Sequence, residues 1–348
     1  MLKRLGAALL ALVVALPAAA QQIPATIVTG PAGSTDLRIG QDIADLAARC
    51  GVTLAVRESA GAVENMRAVR DRPATQLGLV QSDVLEYFRT FADDDPDLRR
   101  PTRGTRVAFP LFPEEVQVLA RRDIAGLADL AGKRVATGAA DSGTRVTADL
   151  ILDLAQVEPA ARVALAPEAG LAALLAGEVD ALFVVAGAPV PLLDTDRIDP
   201  QAFHLLPLIG SELTAAYTPG EIAAGTYPFV TAPVPVVTVR SVLVTFDFDP
   251  RENSYQAASC RLLGDVGHLL LTRLDQLKAD GHPKWRAVDP GDLPEGWEVS
   301  ACVLQGLDPA YDFTCRRPDG SSEREGAGAT GGDANSLFRQ RVCARGGC

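Results

Sequence analysis

Thr26-Ile-Val-Thr-Gly-Pro-Ala-Gly-Ser-Thr-Asp36 decides the fold class. The β-branched run Thr26–Thr29 reads as a strand and stops at a loop of small, hydrogen-bonding residues. Beyond it, Ile39, Ile43, Leu46 and Ala47 fall on one face of a helix. Strand, glycine-containing loop and helix is the repeating unit of an α/β protein. Further strands are expected at Val52–Arg57, Leu77–Val80, Val116–Ala120, Arg134–Thr137, Arg162–Leu165 and Asp180–Val185. The helical period returns more briefly at Leu171, Leu174 and Leu175. This alternation predicts an α/β fold with largely parallel sheets, covered by helices on both faces.

The loops are more informative than the strands. Small-polar loops follow presumptive strands at Gly30–Asp36, Glu58–Asn65, Gln81–Asp83, Gly138–Thr144 and Gly187–Pro189. In open α/β sheets, ligands bind outside the carboxyl ends of strands, where such loops lie. Glycine lets backbone approach closely, serine and threonine add hydroxyls, and free N–H groups at helix N-termini favour an anion. Taken singly, Ser34 or Ser142 is as well explained by helix capping.

A basic start (Lys3, Arg4), the apolar run Leu9–Leu16 and the small residues Ala18–Ala20 form a signal-peptide pattern with cleavage near Ala20. The apolar centre is shorter than a bilayer span. An exported, periplasmic chain without direct membrane insertion is expected. Apolar residues at 47% and charged residues at 22% are globular values. The formal charge of −11 argues against nucleic-acid binding, which needs a basic footprint. Cys50, Cys260, Cys302, Cys315, Cys343 and Cys348 suggest disulfides in an oxidising compartment, with the pairing left open. Asp93–Arg106 reads as a charged surface loop, Glu252–Ala279 as one long helix, and Arg316–Asn335 as a flexible stretch whose far end Leu337 and Phe338 could pin down.

Several strings together resemble the TAXI family, the solute-binding subunits of one class of TRAP transporters. They are Glu58-Ser-Ala-Gly-Ala-Val-Glu-Asn65, Val80-Gln-Ser-Asp83, Phe112-Pro-Glu-Glu-Val-Gln-Val118, Leu130-Ala-Gly-Lys-Arg-Val135, Asp141-Ser-Gly-Thr144, Ala186-Gly-Ala-Pro189 and Ala224-Gly-Thr-Tyr-Pro228. The resemblance covers roughly Thr26 to Pro290 and implies a two-lobed, type II periplasmic-binding-protein fold. It implies capture of a small anionic solute of dicarboxylate, glutamate or oxo-acid type, and delivery to TRAP permease subunits. Carried over by motif, the ligand-binding residues are Gly33, Ser34, Thr35, Ser59, Gly61, Gln81 and Ser82 from one lobe. From the other come Ser142, Gly143, Thr144, Gly187 and Ala188, with Tyr227 near the hinge. The expected organisation is a signal peptide over 1–20, lobe I over 21–115 and 231–308, lobe II over 116–230, and a cysteine-bearing tail over 309–348. Departures from the family pattern are that tail and the first loop, Gly33-Ser-Thr-Asp-Leu-Arg-Ile39, which lacks the aromatic residues usual there. Asp36 or Arg38 could therefore change the charge of the pocket.

An enzyme is not expected. The three histidines sit in apolar or helix-end contexts, and neither a Gly-x-Ser-x-Gly elbow nor a His-Glu-x-x-His pair occurs. Gly326–Gly331 matches a dinucleotide fingerprint only by composition, with no strand before it. No cofactor, metal or catalytic residue is expected. An extracytoplasmic sensor on the same fold, without a dedicated permease, is the alternative reading.

Overall fold

The computed structural model describes residues 25–308, 310–317, 319–325 and 332–344. The segment 1–20, expected to be a signal peptide, the glycine string 326–331 and Cys348 lie outside them.

The first lobe begins with β1 (Ala25–Val28), α1 (Thr35–Ala48), β2 (Leu54–Arg57), α2 (Ala62–Asp71), β3 (Thr75–Gln81), α3 (Ser82–Phe91) and α4 (Pro96–Thr102). A long strand, β4 (Thr105–Arg121), leads into β5 (Arg134–Ala136), α5 (Gly143–Leu154), β6 (Ala161–Val163) and α6 (Pro167–Leu175). These are followed by β7 (Ala181–Ala186), β8 (Phe203–Leu205), α7 (Ser211–Ala216) and β9 (Thr218–Ile222). A second long strand, β10 (Val234–Phe246), returns to α8 (Ser254–Thr272), α9 (Leu274–Asp280) and α10 (Ala301–Gly306). The tail adds β11 (Phe313–Arg316), β12 (Ser322–Glu325) and α11 (Gly332–Ala344).

One sheet runs β2-β1-β3-β10-β4-β7-β5-β6, with β8 beside β4 and β9 beside β10. Parallel pairing holds β1 to β2 and β3, and β5 to β6 and β7, as the strand–helix alternation predicts. The strands β4 and β10 are antiparallel and run through both lobes. Their first-lobe portions pair Val242–Phe246 with Thr105–Pro110, whereas the far part of β4, Glu115–Ala120, pairs with β7. The ladder between β4 and β10 is irregular from Arg240 to Val244, beside Pro113 and Pro110. Proline has no N–H to give a ladder, so the ladder lacks donors at Pro110 and Pro113, where the sheet passes between lobes. The apolar cores separate at the same place. One core draws on 25–112 and 242–342, and two others draw on 116–239. Together these make a two-lobed α/β fold.

Three local expectations change. The segment Asp93–Arg106 is not all loop. Asp95 caps α4 by accepting from Asp97 N at 2.8 Å, and Pro96 occupies the first turn, where a missing N–H costs nothing. The strand expected at Val116–Ala120 starts at Thr105, because the whole of Phe109–Phe112 is buried apolar chain. The helix expected over Glu252–Ala279 breaks at Arg273 (φ −115°, ψ 14°) into α8 and α9. Its apolar face continues across the break through Leu269, Leu270, Leu274 and Leu277, so periodicity alone hides the interruption.

Disulfides join Cys50 to Cys315 and Cys260 to Cys302, and Cys343 is also disulfide-bonded. The first fastens the β11–β12 hairpin to the end of α1, where Arg316 N donates to Cys50 O at 3.2 Å. Such a bridge typically contributes about 2–4 kcal/mol. Within the stretch read as flexible, the described residues include β12 and the start of α11. Phe338 on α11 is buried and stacks on Phe109 at 5.8 Å, which seats the tail on the first lobe.

Candidate functional site

Each loop singled out in the sequence stands at the carboxyl end of a strand. Gly30–Ser34 joins β1 to α1, and Ser34 caps α1 by accepting from Leu37 N at 3.1 Å. Gly61 opens α2 with φ +127°, a backbone state open to glycine and strained for other residues. Gln81 ends β3. In the second lobe Ser142 caps α5, accepting from Arg145 N at 3.1 Å. The N–H groups of Gly143 and Thr144 lie in the first turn of α5, ahead of any intrahelical partner.

These pieces meet. Gly33, Ser34, Gly61, Gln81, Ser142, Gly143 and Thr144 line one cavity between the lobes, together with Asp36, Glu168 and the apolar Val184, Val185 and Val190. Its volume is about 80 Å³, well below the roughly 300–1,000 Å³ of a typical ligand pocket, so the cleft is closed. Two glycines permit the closure. A Cβ on Gly61 would sit 3.3 Å from Gly143 N and Ser142 Cα, and one on Gly143 would sit 1.9 Å from Gln81 Oε1. Glu64 N donates to Asp141 O at 3.1 Å, and Thr35 Oγ1 donates to Gly187 O at 2.8 Å, so backbone groups of the second lobe accept from the first.

The remaining sequence-selected residues are placed otherwise. Ser59 Oγ donates to Thr29 O at 3.2 Å and accepts from Gly61 N at 3.1 Å, shaping the loop before α2. Ser82 Oγ accepts from Arg240 N at 3.1 Å and faces a different cavity. Ala188 N donates to Glu115 Oε2 at 2.7 Å, and Glu115 also binds Lys284 at 2.5 Å, next to Gly187. Tyr227 is buried: its hydroxyl donates to Gln117 Oε1 at 2.5 Å, accepts from Val190 N at 3.0 Å, and its ring stacks on Phe229. Arg38 is exposed and bonds Gln41, and Arg145 pairs with Asp149 at 2.6 Å along α5.

The acids that line the cleft are Asp36 and Glu168, and Glu114 is buried behind its wall against Gln81. Gln81 Nε2 donates to Glu114 Oε2 at 2.8 Å, and Ser241 Oγ donates to Asp36 Oδ1 at 3.4 Å. Burial pushes the Asp36 carboxyl up to about 6, against hydrogen bonds from Glu114 and Ser241 that lower it. Burial first, and then the charge of Asp36, holds Glu114 well above the ordinary carboxylate range. Each acid thus bears on the other's hold on its proton. Gln81 Oε1 and Glu114 Oε1 are buried acceptors without a donor. No lysine or arginine lines the cavity among the described residues. Asp36 is visible in the sequence as the odd residue of the first loop. Glu114 is not, because only the sheet order β3-β10-β4 brings it to Gln81.

Among the described residues no helix is long and apolar enough to cross a membrane. The chain is similar to solved structures across most of its length. A protein from Bordetella bronchiseptica RB50 is 14% identical, with 93% of this chain and 98% of that chain covered and a TM-score of 0.46. A periplasmic transporter is 12% identical over 94% and 98%, with a TM-score of 0.45. The alkanesulfonate-binding protein of Xanthomonas axonopodis pv. citri, bound to MOPS, is 14% identical over 94% and 95%, with a TM-score of 0.41. The model of the NMT1-like family matches residues 27–258, a span that runs from β1 through both crossing strands into α8 and carries every loop of the closed cleft. The chain belongs to the NMT1-like family.

Proposed function

We propose that this chain is a periplasmic solute-binding protein of TAXI type, exported with cleavage near Ala20, which closes its lobes on a small carboxylate-bearing solute. It then delivers the solute to the membrane subunits of a TRAP-type transporter. One observation carries the reading: the first turn of α5 and the loops opening α1 and α2 converge, from two lobes, on a cavity whose walls touch through Gly61 and Gly143. Helix N-termini facing a cavity favour a carboxylate. Gly143 and Thr144 supply N–H donors, and Gly33, Ser34, Gly61, Gln81 and Ser142 supply the close walls.

The acids narrow the solute within the dicarboxylate, glutamate and oxo-acid group. These solutes share the two carboxylates and differ in the ammonium, which a glutamate-type amino acid alone can offer to Asp36 in a wall that holds acids and no cation. Thr35, Ser59, Gly187, Ala188 and Tyr227 support the loops, and Ser82 serves elsewhere.

Calorimetric titration of the mature protein with glutamate, 2-oxoglutarate and succinate tests this. Saturable binding is expected, with the amino acid about tenfold or more ahead of the oxo acid, as loss of one hydrogen bond to a charged group implies. Binding by none of them refutes the carboxylate reading. Uptake by vesicles carrying a TRAP permease, dependent on the added protein, tests delivery.

A further inference from the structure

A larger cavity, about 640 Å³, lies at the same lobe boundary but is lined by other residues. The chain passes from one to the other within two residues: Gln81 lines the closed cleft, and Ser82 and Asp83 line the larger space. Its volume is that of a pocket for a drug-sized molecule. Its walls come from both lobes, with Tyr87 and Phe91 on α3 facing Leu150 and Leu154 on α5, and Tyr217 beyond α7. Three large apolar residues are exposed among those described, Phe91, Leu154 and Ile209, and two of them line this space. The Tyr87 and Phe91 rings lie 5.0 Å apart, a ready aromatic wall.

The charged groups of the wall are mostly acidic: Asp83, Glu86, Asp292 and Glu295, against the single cation Arg240. Arg240 is committed to Asp292, and Glu86 is paired with Arg89 at 2.7 Å. Asp83 is different. It accepts from Val84 N at 2.9 Å and meets the Tyr217 hydroxyl at 3.5 Å, with no lysine or arginine in ion-pair contact. Burial pushes its carboxyl up to about 6, which leaves it ionised at neutral pH and short of a counter-ion. An anionic carboxylate beside aromatic and branched apolar side chains recognises an organic cation whose apolar part covers the rings.

We propose that this second cavity is a binding site for a protonated amine bearing an aromatic or branched aliphatic group, held by Asp83 and Tyr217 and packed against Tyr87, Phe91, Leu150 and Leu154. The site is independent of the solute assigned to the closed cleft. Because its walls belong to both lobes, an occupant also bears on their closure.

The test is titration of the full mature chain with 2-phenylethylamine, 2-phenylethanol and 3-phenylpropionate, which share the ring and differ in charge. The amine is expected to bind saturably, about tenfold or more tighter than the alcohol, with the carboxylate weakest. Asp83→Asn should remove that advantage. Leu154→Arg, at an exposed position, should intrude on the cavity and add a cation to its wall, weakening the amine about tenfold or more. Equal binding of amine and alcohol, an amine affinity unchanged in both variants, or no saturation by the amine up to about 10 mM would each overturn the proposal.

Discussion

Gln81 and Asp83 are two residues apart and serve cavities of opposite character. The first looks into about 80 Å³ walled by glycine backbone and helix N-termini, and the second into about 640 Å³ walled by aromatic and aliphatic side chains. Each cavity contains a carboxyl pushed up to about 6 by burial, Asp36 in one and Asp83 in the other. Their partners differ: Asp36 feels the charge of a second acid, Glu114, and Asp83 meets a phenol. The comparison separates two ways of making a site. Backbone donors and glycine contacts give a tight, geometry-dependent space that exists only when the lobes meet. Side-chain walls give a roomier one whose preference rests on apolar area and one charge.

The contrast is broken most severely at Gly61. A valine there meets Ser142 and Gly143 across the lobes at a φ that β-branched residues avoid. Solute affinity by calorimetry should fall about hundredfold, roughly 2.7 kcal/mol, while the larger cavity keeps its amine. Next in size is Asp83→Asn. A folded-state value near 6 against 3.8 means the native state holds its proton more tightly than the unfolded chain. This costs no stability below about pH 4, and stability falls as pH rises to about 6. The variant should therefore gain on the order of 2 kcal/mol at pH 7.5, discounted for partial exposure, and nothing near pH 4, by urea unfolding. Tyr217→Phe, which removes the hydroxyl beside Asp83 and keeps the ring, should cost about 1 kcal/mol of amine affinity and leave solute binding in the cleft unchanged. The smallest effect is at Arg67, whose 2.8 Å bridge to Asp141 crosses the lobes with both side chains about half exposed. Arg67→Ala should change solute affinity by less than about 1 kcal/mol, because exposed pairs gain little.

Much of this was legible in the sequence. The strand–loop–helix units come from local periodicity, and the helix faces at Ile39, Ile43, Leu46 and Ala47 are buried as the spacing predicts. The loops that bring Gly61 to Gly143 are also readable, since glycine and serine declare themselves locally. What was hidden depends on distant partners. The Asp36–Glu114 pair exists only because β4 lies two strands from β3 in the sheet, with β10 between them. The aromatic cavity joins α3, α5 and the segment after α7, which share no local pattern. Tyr227 stands in a motif string yet is claimed by Gln117 and Phe229, because an apolar ring gains more from core burial than from a polar cleft.

The paired crossing strands have a consequence for how the chain is made. Glu115 lies directly opposite Thr238, so the chain leaves the first lobe and re-enters it at one point. The second lobe's two cores are built from residues 116–239, whereas the first lobe's sheet is incomplete until Val242–Phe246 arrives to separate β3 from β4. In vectorial synthesis, the inserted lobe has all of its sequence in hand before the lobe that encloses it. The half that begins first is the half that finishes last.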